Sequence, residues 1–596
     1  MPLQQLKMNS ESNTLRNIIF PKENICPKTE LYYRAVSGSI SENKLNIRGT
    51  AVFDTYFNSF PIGKYLEYCT FSGLYLKLKV CGIFILRIFG VNKNQETIVI
   101  EKNISAENII EDITDISNCI EKDFSQIYFS LESENGILYG GSFFCKADNF
   151  HHINTAVVIC TFKREKFLRR NHCEICKYLE SQDILNKDNI HFYIVDNGKT
   201  LDKNVIENDY TTLIPNKNTG GSGGFTRGYY EALHSGKDHT NILFMDDDIV
   251  LDCEMLVRIY GILTTEKDRN LAIGGTMIKL SDFITQHEAG ALWDGKRHIS
   301  LGQGADLTKR ENVFSEYPHC DYNAWWFYCF PSDWQSRYGY PIQFFIKEDD
   351  IEYSLRCADK IAVMNGIAVW HDDFEGKYDG FQEYYIKRNE LIMTSVNNQK
   401  AYPIFQVEKL IKCVMRQVAY QRYFLADIVI RAYDDYLKGW ENFKNTDTEK
   451  LNTELMNSCQ KLINDEELKK YSVYFDKDKY EYALNEQKQL FKQIITFNGY
   501  FIPKCFYKKD KDDFAIVPLA GCKFINFYKH KRILHYDISG KRGFVTEIKK
   551  SMFWKYCFLL VGKSVKFLIK YPSVRKGYKK HLKELADYKK EVESNA

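Results

Sequence analysis

The sequence predicts a parallel α/β core, with an antiparallel β region on its N-terminal side and a mostly helical region on its C-terminal side. Three observations carry this reading. Residues 25–150 alternate polar and apolar side chains in short runs. Residues 151–395 alternate apolar, β-branched strands with helical segments, and beyond residue 396 the apolar spacing becomes helical throughout. A single hydrophobic core cannot serve a chain of 596 residues. Roughly three or four domains are expected at this size.

In chain order, residues 1–24 form an N-terminal arm. Its opening, MPLQQLKMNSESNTLRN, lacks the apolar centre of a signal peptide, and no stretch of the chain approaches the uninterrupted apolar length of a membrane span. The expectation is therefore a cytoplasmic protein whose 17 cysteines are free thiols. Cys173 and Cys176 make one C-x-x-C, but no second pair lies nearby and the flanking pattern is helical, which argues against zinc.

Residues 25–150 contain the runs LYYRAVSG, KLNIRGTAVFDTYFNSFPIG, YLKLKVCGIFILRIFG and QIYFSLESENGILYGGSFF. Period-two patterning between turn residues predicts a β-sandwich or barrel. It carries no catalytic grouping and reads as a module packed on an enzyme.

At Thr155 the texture changes. AVVICTFKRE is a buried strand entering a loop, FLRRNHCEICKYLESQ a helix, and HFYIVDNG a second strand ending in Asp196. A glycine-rich stretch, a helix at YYEALHSG and the strand NILFMDDD follow. In such sheets ligands collect at the carboxyl ends of the strands, where Asp196 and the three aspartates fall. Residues 396–596 form the helical region, ending in a basic amphipathic tail. Residues 541–596 carry many more Lys and Arg than Asp and Glu, whereas the whole chain has a net charge of only +3. That near-neutrality argues against a nucleic-acid partner.

The stretch NTGGSGGFTRG, residues 218–228, fits neither a P-loop nor a dinucleotide fingerprint. A flexible turn is the plain reading. The alternative is a loop leading into a helix, where backbone amides approach an anion because side chains are missing, with Arg227 adding a cation. Asp246, Asp247 and Asp248 follow the apolar strand Ile242–Met245. Alternation puts Asp246 and Asp248 on one side. Two carboxylates without a local Lys or Arg would repel, and hard oxygen ligands suit Mg2+ or Mn2+. A metal-bound nucleoside diphosphate asks for both features at once.

Further along, Asp349, Asp350 and Glu352 open a predicted helix that ends in Arg356. They either complement the helix dipole or supply a general base for a sugar hydroxyl. His371 follows the strand IAVMNGIAVW and is a candidate third metal ligand. Trp293, Trp325 and Trp326 are either core residues or a platform for sugar rings.

This ordered set resembles the inverting, metal-dependent GT-A glycosyltransferases of family 2, and more closely the polymerising galactofuranosyltransferases of cell-wall galactan synthesis. The motifs that carry the resemblance are FDTYFNSFPIG (53–63), CTFKR (160–164), DNG (196–198), the glycine stretch (218–228), FMDDDI (244–249), AWWFYC (324–329), FIKEDDIEYSLR (345–356) and WH (370–371). The resemblance implies a GT-A core, a Rossmann-like mixed sheet, between the β module and the helices. It implies that Asp246, Asp248 and His371 hold Mn2+ or Mg2+ against the diphosphate of a UDP-sugar. Arg164, Asp196, Asn218, Gly220, Gly221 and Asp247 would meet the nucleotide, with Arg227 near the phosphates. Asp350 would be the base, Asp349 its acceptor-positioning neighbour, and Trp293, Trp325 and Trp326 the acceptor site.

The partners implied are UDP-galactofuranose, a lipid-linked glycan acceptor, the inner membrane surface and further copies of the chain in a homo-oligomer. The implied location is peripheral, on the cytoplasmic face of the membrane. One departure from the pattern is Glu348, where the galactan polymerases tend to carry an aromatic residue. The alternatives are a family 2 transferase using UDP-galactopyranose or another nucleotide sugar, and an inactive nucleotide-sugar-binding scaffold.

Overall fold

The computed structural model describes residues 12–35, 38–41, 44–93, 95–317, 319–372, 380–397, 402–471, 473–477, 480, 490–508, 514–519, 528–538 and 540–588. By packing, the chain divides into two compact units. One comprises Met1–Pro341, Asp350–Asp372 and Tyr588–Ala596, the other Ile342–Asp349 and Asp373–Asp587.

The first unit holds the α/β core, a seven-stranded sheet. Its strands in chain order are Thr155–Thr161, Ile190–Asp196, Thr211–Pro215, Asn241–Asp246, Leu271–Gly274, Phe327–Pro331 and Lys360–Ala362. In space the order is third, second, first, fourth, sixth, fifth, seventh. The sixth runs antiparallel to its neighbours and the other pairings are parallel, so the sheet is mixed. The strand sequences are apolar on both faces. IHFYIVD is buried at every position because helices cover both sides. The helix Glu165–Glu180 does this with Leu168, Ile175 and Leu179 on its inner face. Strand order reverses between the first and fourth strands, the place where sheets of this kind take their ligands, beyond the carboxyl ends.

In the N-terminal region, where a sandwich or barrel is expected, the strands are hydrogen-bonded as one seven-stranded antiparallel sheet. Three of its strands, Gly73–Asn92, Gln95–Asp115 and Gln126–Lys146, are about four times the usual strand length. Register shifts at Val80/Gly82 and Ile88/Phe89 absorb the bending, so the pairing continues along the strand instead of breaking into separate sheets. The N-terminal arm is described from Ser12 onward. Ser12–Asn17 pairs with the last long strand. Leu15, Phe57, Phe60, Val157, Met245 and Trp370 belong to one hydrophobic cluster, so the β region and the α/β sheet share a core.

The second unit is built on the helices Gln382–Val396, Pro403–Ala419, Tyr423–Tyr436 and Lys550–Lys580, around a core that includes Leu391, Val414, Val429, Tyr436, Tyr556 and Phe567. It also holds a small sheet of Ile463–Asn464, Arg542–Glu547, Arg532–Asp537 and Phe514–Pro518, an addition to the helical content expected there. Part of the charged stretch 447–492 lies outside the described residues. Among the described residues, no helix is long and apolar enough to cross a membrane, and the cysteines are free.

Candidate active site

The fourth strand ends at Asp246, and the backbone N–H of Asp246 donates to the carbonyl of Trp326 at 3.2 Å. His371 closes the strand Ala368–His371, which belongs to a separate three-stranded sheet with Thr276–Lys279 and Gln286–Glu288. The two chain segments are stapled by a reciprocal backbone pair between Val250 and Trp370, with N···O distances of 2.7 and 3.1 Å. Phe57 of the FDTYFNSFPIG motif packs on Trp370, ring centroids 5.4 Å apart. Arg16 and Arg258, both fully buried, donate to the carbonyls of Asn365 and Gly366 at the turn before the His371 strand.

One ligand atom from each of Asp246, Asp248 and His371 lies within 4.8 Å of the others. His371 Nε2 is 2.9 Å from Asp248 Oδ1. Its Nδ1 is 2.7 Å from the backbone oxygen of Asp372, which can only accept, so Nδ1 carries a proton and Nε2 faces the carboxylates. Arg164 pairs with Asp247 and Asp248. Burial pushes the Asp246 carboxyl up to about 7; His371 opposes that rise, and the neighbouring Asp248 and Asp247 add to it. Burial and Asp248 likewise raise Asp247 to about 6, against Thr161 and Arg164. Burial disfavours the His371 imidazolium, but the hydrogen bond and charge of Asp248, with Asp246 behind it, outweigh that and raise its pKa. Two carboxyls beside Asp248, those of Asp246 and Asp247, are thus held above the usual carboxylate range. Oxygen donors and an outward imidazole nitrogen in that state suit a hard divalent cation.

The glycines sit differently from expectation. Gly220–His234 is already helix, so GGSGG forms its first turns instead of a preceding loop. Gly224 and Gly228 face the sheet. A Cβ at Gly224 would lie 2.2 Å from Cys160 Sγ, and one at Gly228 2.2 Å from Val158 Cγ1. These two glycines permit close helix–strand contact. Gly221 has nothing within 4 Å of its Cβ position, which leaves the first turn of the helix open to an anion. Gly220 has φ +69 and donates its N–H to Asn218 Oδ1 at 3.1 Å.

Two other residues also take places that differ from the sequence reading. Arg227 lies inside this helix, not in a loop, and pairs with Glu231 one turn on at 2.7 Å. Asp196, 2% exposed, accepts from the backbone N–H groups of Gly198, Thr200 and Leu201, so both its oxygens brace the turn after the second strand.

Trp325 and Trp326 are each about 5% exposed. Trp325 packs among Phe225, Phe244 and Tyr353, and Trp326 Nε1 donates to the Gly275 carbonyl at 2.8 Å. Trp293, also buried, ends the strand Ala291–Trp293 and donates its backbone N–H to Asp321. The helix Asp349–Cys357 starts at the acidic pair, and Asp350 Oδ1 accepts from the Ile351 N–H at 2.9 Å. Glu352 and Arg356 form a buried ion pair at 2.8 Å, which assigns Glu352 to the helix core.

Sequence reading missed Glu288. It is 6% exposed in the strand Gln286–Glu288 and accepts from the Ser300 hydroxyl. Burial raises its carboxyl to about 7; the Ser300 bond opposes the rise and the charge of Asp350 adds to it. A second carboxyl therefore stands within electrostatic reach of Asp350. Its only sequence signal was an acidic residue in an otherwise apolar HEAGALW run.

No protein-family model matches the chain. Curated relatives do. Galactofuranosyltransferase GlfT2 of Mycobacterium tuberculosis is 25% identical over 424 residues, covering 65% of this chain and 65% of that protein. The protein of the same name from Mycolicibacterium smegmatis is 24% identical over 424 residues, covering 65% and 64%. The curated relatives are galactofuranosyltransferases. This bears out the resemblance carried by the motifs, and the match spans less than two thirds of the relatives' length. Among solved structures, GalNAc-T7 with UDP, GalNAc and Mn2+ has a TM-score of 0.29 at 13% identity, over 42% of this chain and 49% of its own. Mannosyltransferase PcManGT from Pyrobaculum calidifontis, in complex with GDP-Man and Mn2+, has a TM-score of 0.29 at 11% identity, over 52% and 85%. Both likenesses are too slight to support a conclusion.

Proposed function

We propose that the chain is an inverting, metal-dependent glycosyltransferase that moves galactofuranose from UDP-galactofuranose to a hydroxyl of a lipid-linked glycan. The observation that carries this reading is the convergence of Asp246, Asp248 and His371 at the sheet's carboxyl edge. The open first turn of the glycine helix belongs to the same α/β sheet.

Asp246, Asp248 and His371 would hold Mn2+ or Mg2+, which supplies positive charge to the departing diphosphate. The amide of Gly221 and the side chains of Arg164 and Asp247 bind the nucleotide, with Asn218 holding the Gly220 amide at the start of the helix. Asp350 takes the proton from the acceptor hydroxyl as that oxygen attacks the anomeric carbon from the face opposite UDP. Asp349 positions the acceptor. A highly charged leaving group needs no protonated acid, so one carboxylate base suffices. Glu288, raised to about 7 chiefly by burial, is half protonated at pH 7 and so sets less negative charge near that base than an ordinary glutamate would.

The decisive experiment supplies UDP-galactofuranose or UDP-galactopyranose with a synthetic galactofuranosyl acceptor, with and without EDTA, and reads UDP release and product linkage. EDTA-sensitive product from the furanose donor is expected. Product from the pyranose donor alone would change the substrate, and binding without turnover would favour the scaffold.

The membrane part of the reading is supported by the helix Lys550–Lys580. One face is buried through Phe553, Tyr556, Leu560 and Phe567, while Trp554, Phe558, Val561, Val565 and Ile569 form a second, exposed apolar stripe. Lys555 and Lys570 lie on the same helix, as do Lys563 and Lys566, which pair with Asp434. An apolar stripe accompanied by lysines suits the headgroup region of an anionic bilayer. In this reading the enzyme works at the cytoplasmic face of the membrane, as a homo-oligomer.

A further inference from the structure

The loop before the acidic helix is strained. Phe345, Lys347 and Glu348 have φ of 77°, 68° and 68°, a region that side chains with a Cβ seldom occupy, and no glycine lies among them. Backbone in that state persists only where its surroundings hold it, and it gathers at functional sites.

The hold comes from the helix Gln382–Val396. Asn389, with no exposed surface, donates its side-chain amide to the carbonyls of Ile346 at 2.9 Å and Lys347 at 3.0 Å, with a longer contact of 3.4 Å to Phe344. Its oxygen accepts from Arg388 Nε at 2.9 Å, and Arg388 also donates to the Phe344 carbonyl at 3.0 Å. The Arg388 guanidinium lies 4.9–5.3 Å from the ring centroids of Tyr384, Tyr385 and Phe443, which fixes the side chain that donates to the Asn389 oxygen. The Phe345 ring stacks on Tyr385 at 5.3 Å. A side-chain amide suits this task because its NH2 group can meet two carbonyls at once.

We propose that Asn389, braced by Arg388, is a positioning residue that locks residues 345–348 in their left-handed path and thereby sets the start of the helix carrying Asp349 and Asp350. It touches no reacting atom. The inference rests on Asp350 being the base.

The test uses the full-length chain and the UDP-galactofuranose assay, comparing Asn389→Ala, Asn389→Asp and Arg388→Lys with the parent. Misplacing a catalytic group by about 1 Å can cost a hundredfold in rate. The expected result for both Asn389 variants is a kcat lower by about a hundredfold, with KM for the donor within about twofold of the parent. Hydrogen exchange should also become faster in peptides spanning 344–350. If Asn389→Ala does not fold, Arg388→Lys, which keeps the charge among the rings but loses the fork, should show a smaller change in the same direction. Parental kcat together with parental exchange in the folded variants would overturn the clamp. An active Asp350→Asn enzyme would instead overturn the base reading, so the two failures are told apart.

Discussion

His371 Nε2 lies 2.9 Å from Asp248 Oδ1, although the two residues are 123 positions apart in sequence, Asp248 in the turn after the Asn241–Asp246 strand and His371 at the end of a strand in another sheet. The contact exists because Val250 and Trp370 pair their backbones immediately behind it. Asp246 brings a third ligand atom within 4.8 Å of these two, and the first prediction follows from that. Asp248→Asn and His371→Gln should each lower metal-dependent turnover by at least about a hundredfold, since a bound metal supplies several kcal/mol to the transition state. Mn2+ titration of the folded variants checks it, and parental Mn2+ affinity in both would contradict the site.

The two classes of glycine should separate experimentally. Gly224→Ala places a Cβ 2.2 Å from Cys160 Sγ and should destabilise the fold by about 1–3 kcal/mol. Adding Cys160→Ala should recover part of that loss. Gly221→Ala meets nothing within 4 Å, so its unfolding temperature should stay near parental while KM for the donor rises. Thermal scans and donor kinetics on the three variants decide the matter.

Asp350→Asn should abolish most turnover and spare donor binding. General base catalysis contributes about a hundredfold to ten-thousandfold. The expected signature is a fall of that size in kcat, with UDP-galactofuranose affinity unchanged by calorimetry. An equal loss in Asp349→Asn alone, with Asp350→Asn active, would move the base by one residue.

Glu288 gives a pH prediction. Its carboxyl is raised from 4.5 to about 7 in the fold, chiefly by burial, so the native state binds a proton that the unfolded chain releases earlier. The stability this contributes is complete below pH 4.5 and is lost as pH rises through about 7. Glu288→Gln removes that dependence. Relative to the parent, the variant should gain stability between pH 5 and pH 8, by at most about 3 kcal/mol. Unfolding temperatures of the two proteins measured across that range check the sign.

The exposed stripe on Lys550–Lys580 predicts lipid binding. Replacing Trp554 and Phe558, which are 56% and 74% exposed, with serine should release the protein from vesicles containing anionic lipid without changing its unfolding temperature. Flotation of the full chain measures this. Undiminished flotation would remove the stripe from the membrane reading.

Much of the candidate site is legible in the amino-acid sequence. Asp246, Asp248 and His371 can be named because each ends an apolar run, and strand ends are where an α/β sheet presents ligands. The glycines are recognisable there, but their tasks are not. A glycine needed for packing and one open to a ligand look the same in sequence, and only the position of Cys160 and Val158 distinguishes Gly224 and Gly228 from Gly221. Arg227 falls in a helix that begins earlier than its sequence pattern implies, and Asp196 holds its own turn. Glu288 and Asn389 escape notice in sequence because their meaning lies in relations across the fold, the burial of Glu288 near the charge of Asp350 and the bonds of Asn389 to the carbonyls of Ile346 and Lys347.

By itself, then, the amino-acid order determined the layered architecture and the chemistry available at the strand ends, because hydrophobic period and residue type act locally. Which long strands stayed in one sheet was decided by tertiary structure. So were the burial that lifts the Asp246 and Glu288 carboxyls to about 7 and the side chain that restrains the loop before Asp349. Burial and hydrogen-bond partnership belong to pairs of residues distant along the chain. They come into being only when folding removes water from between them.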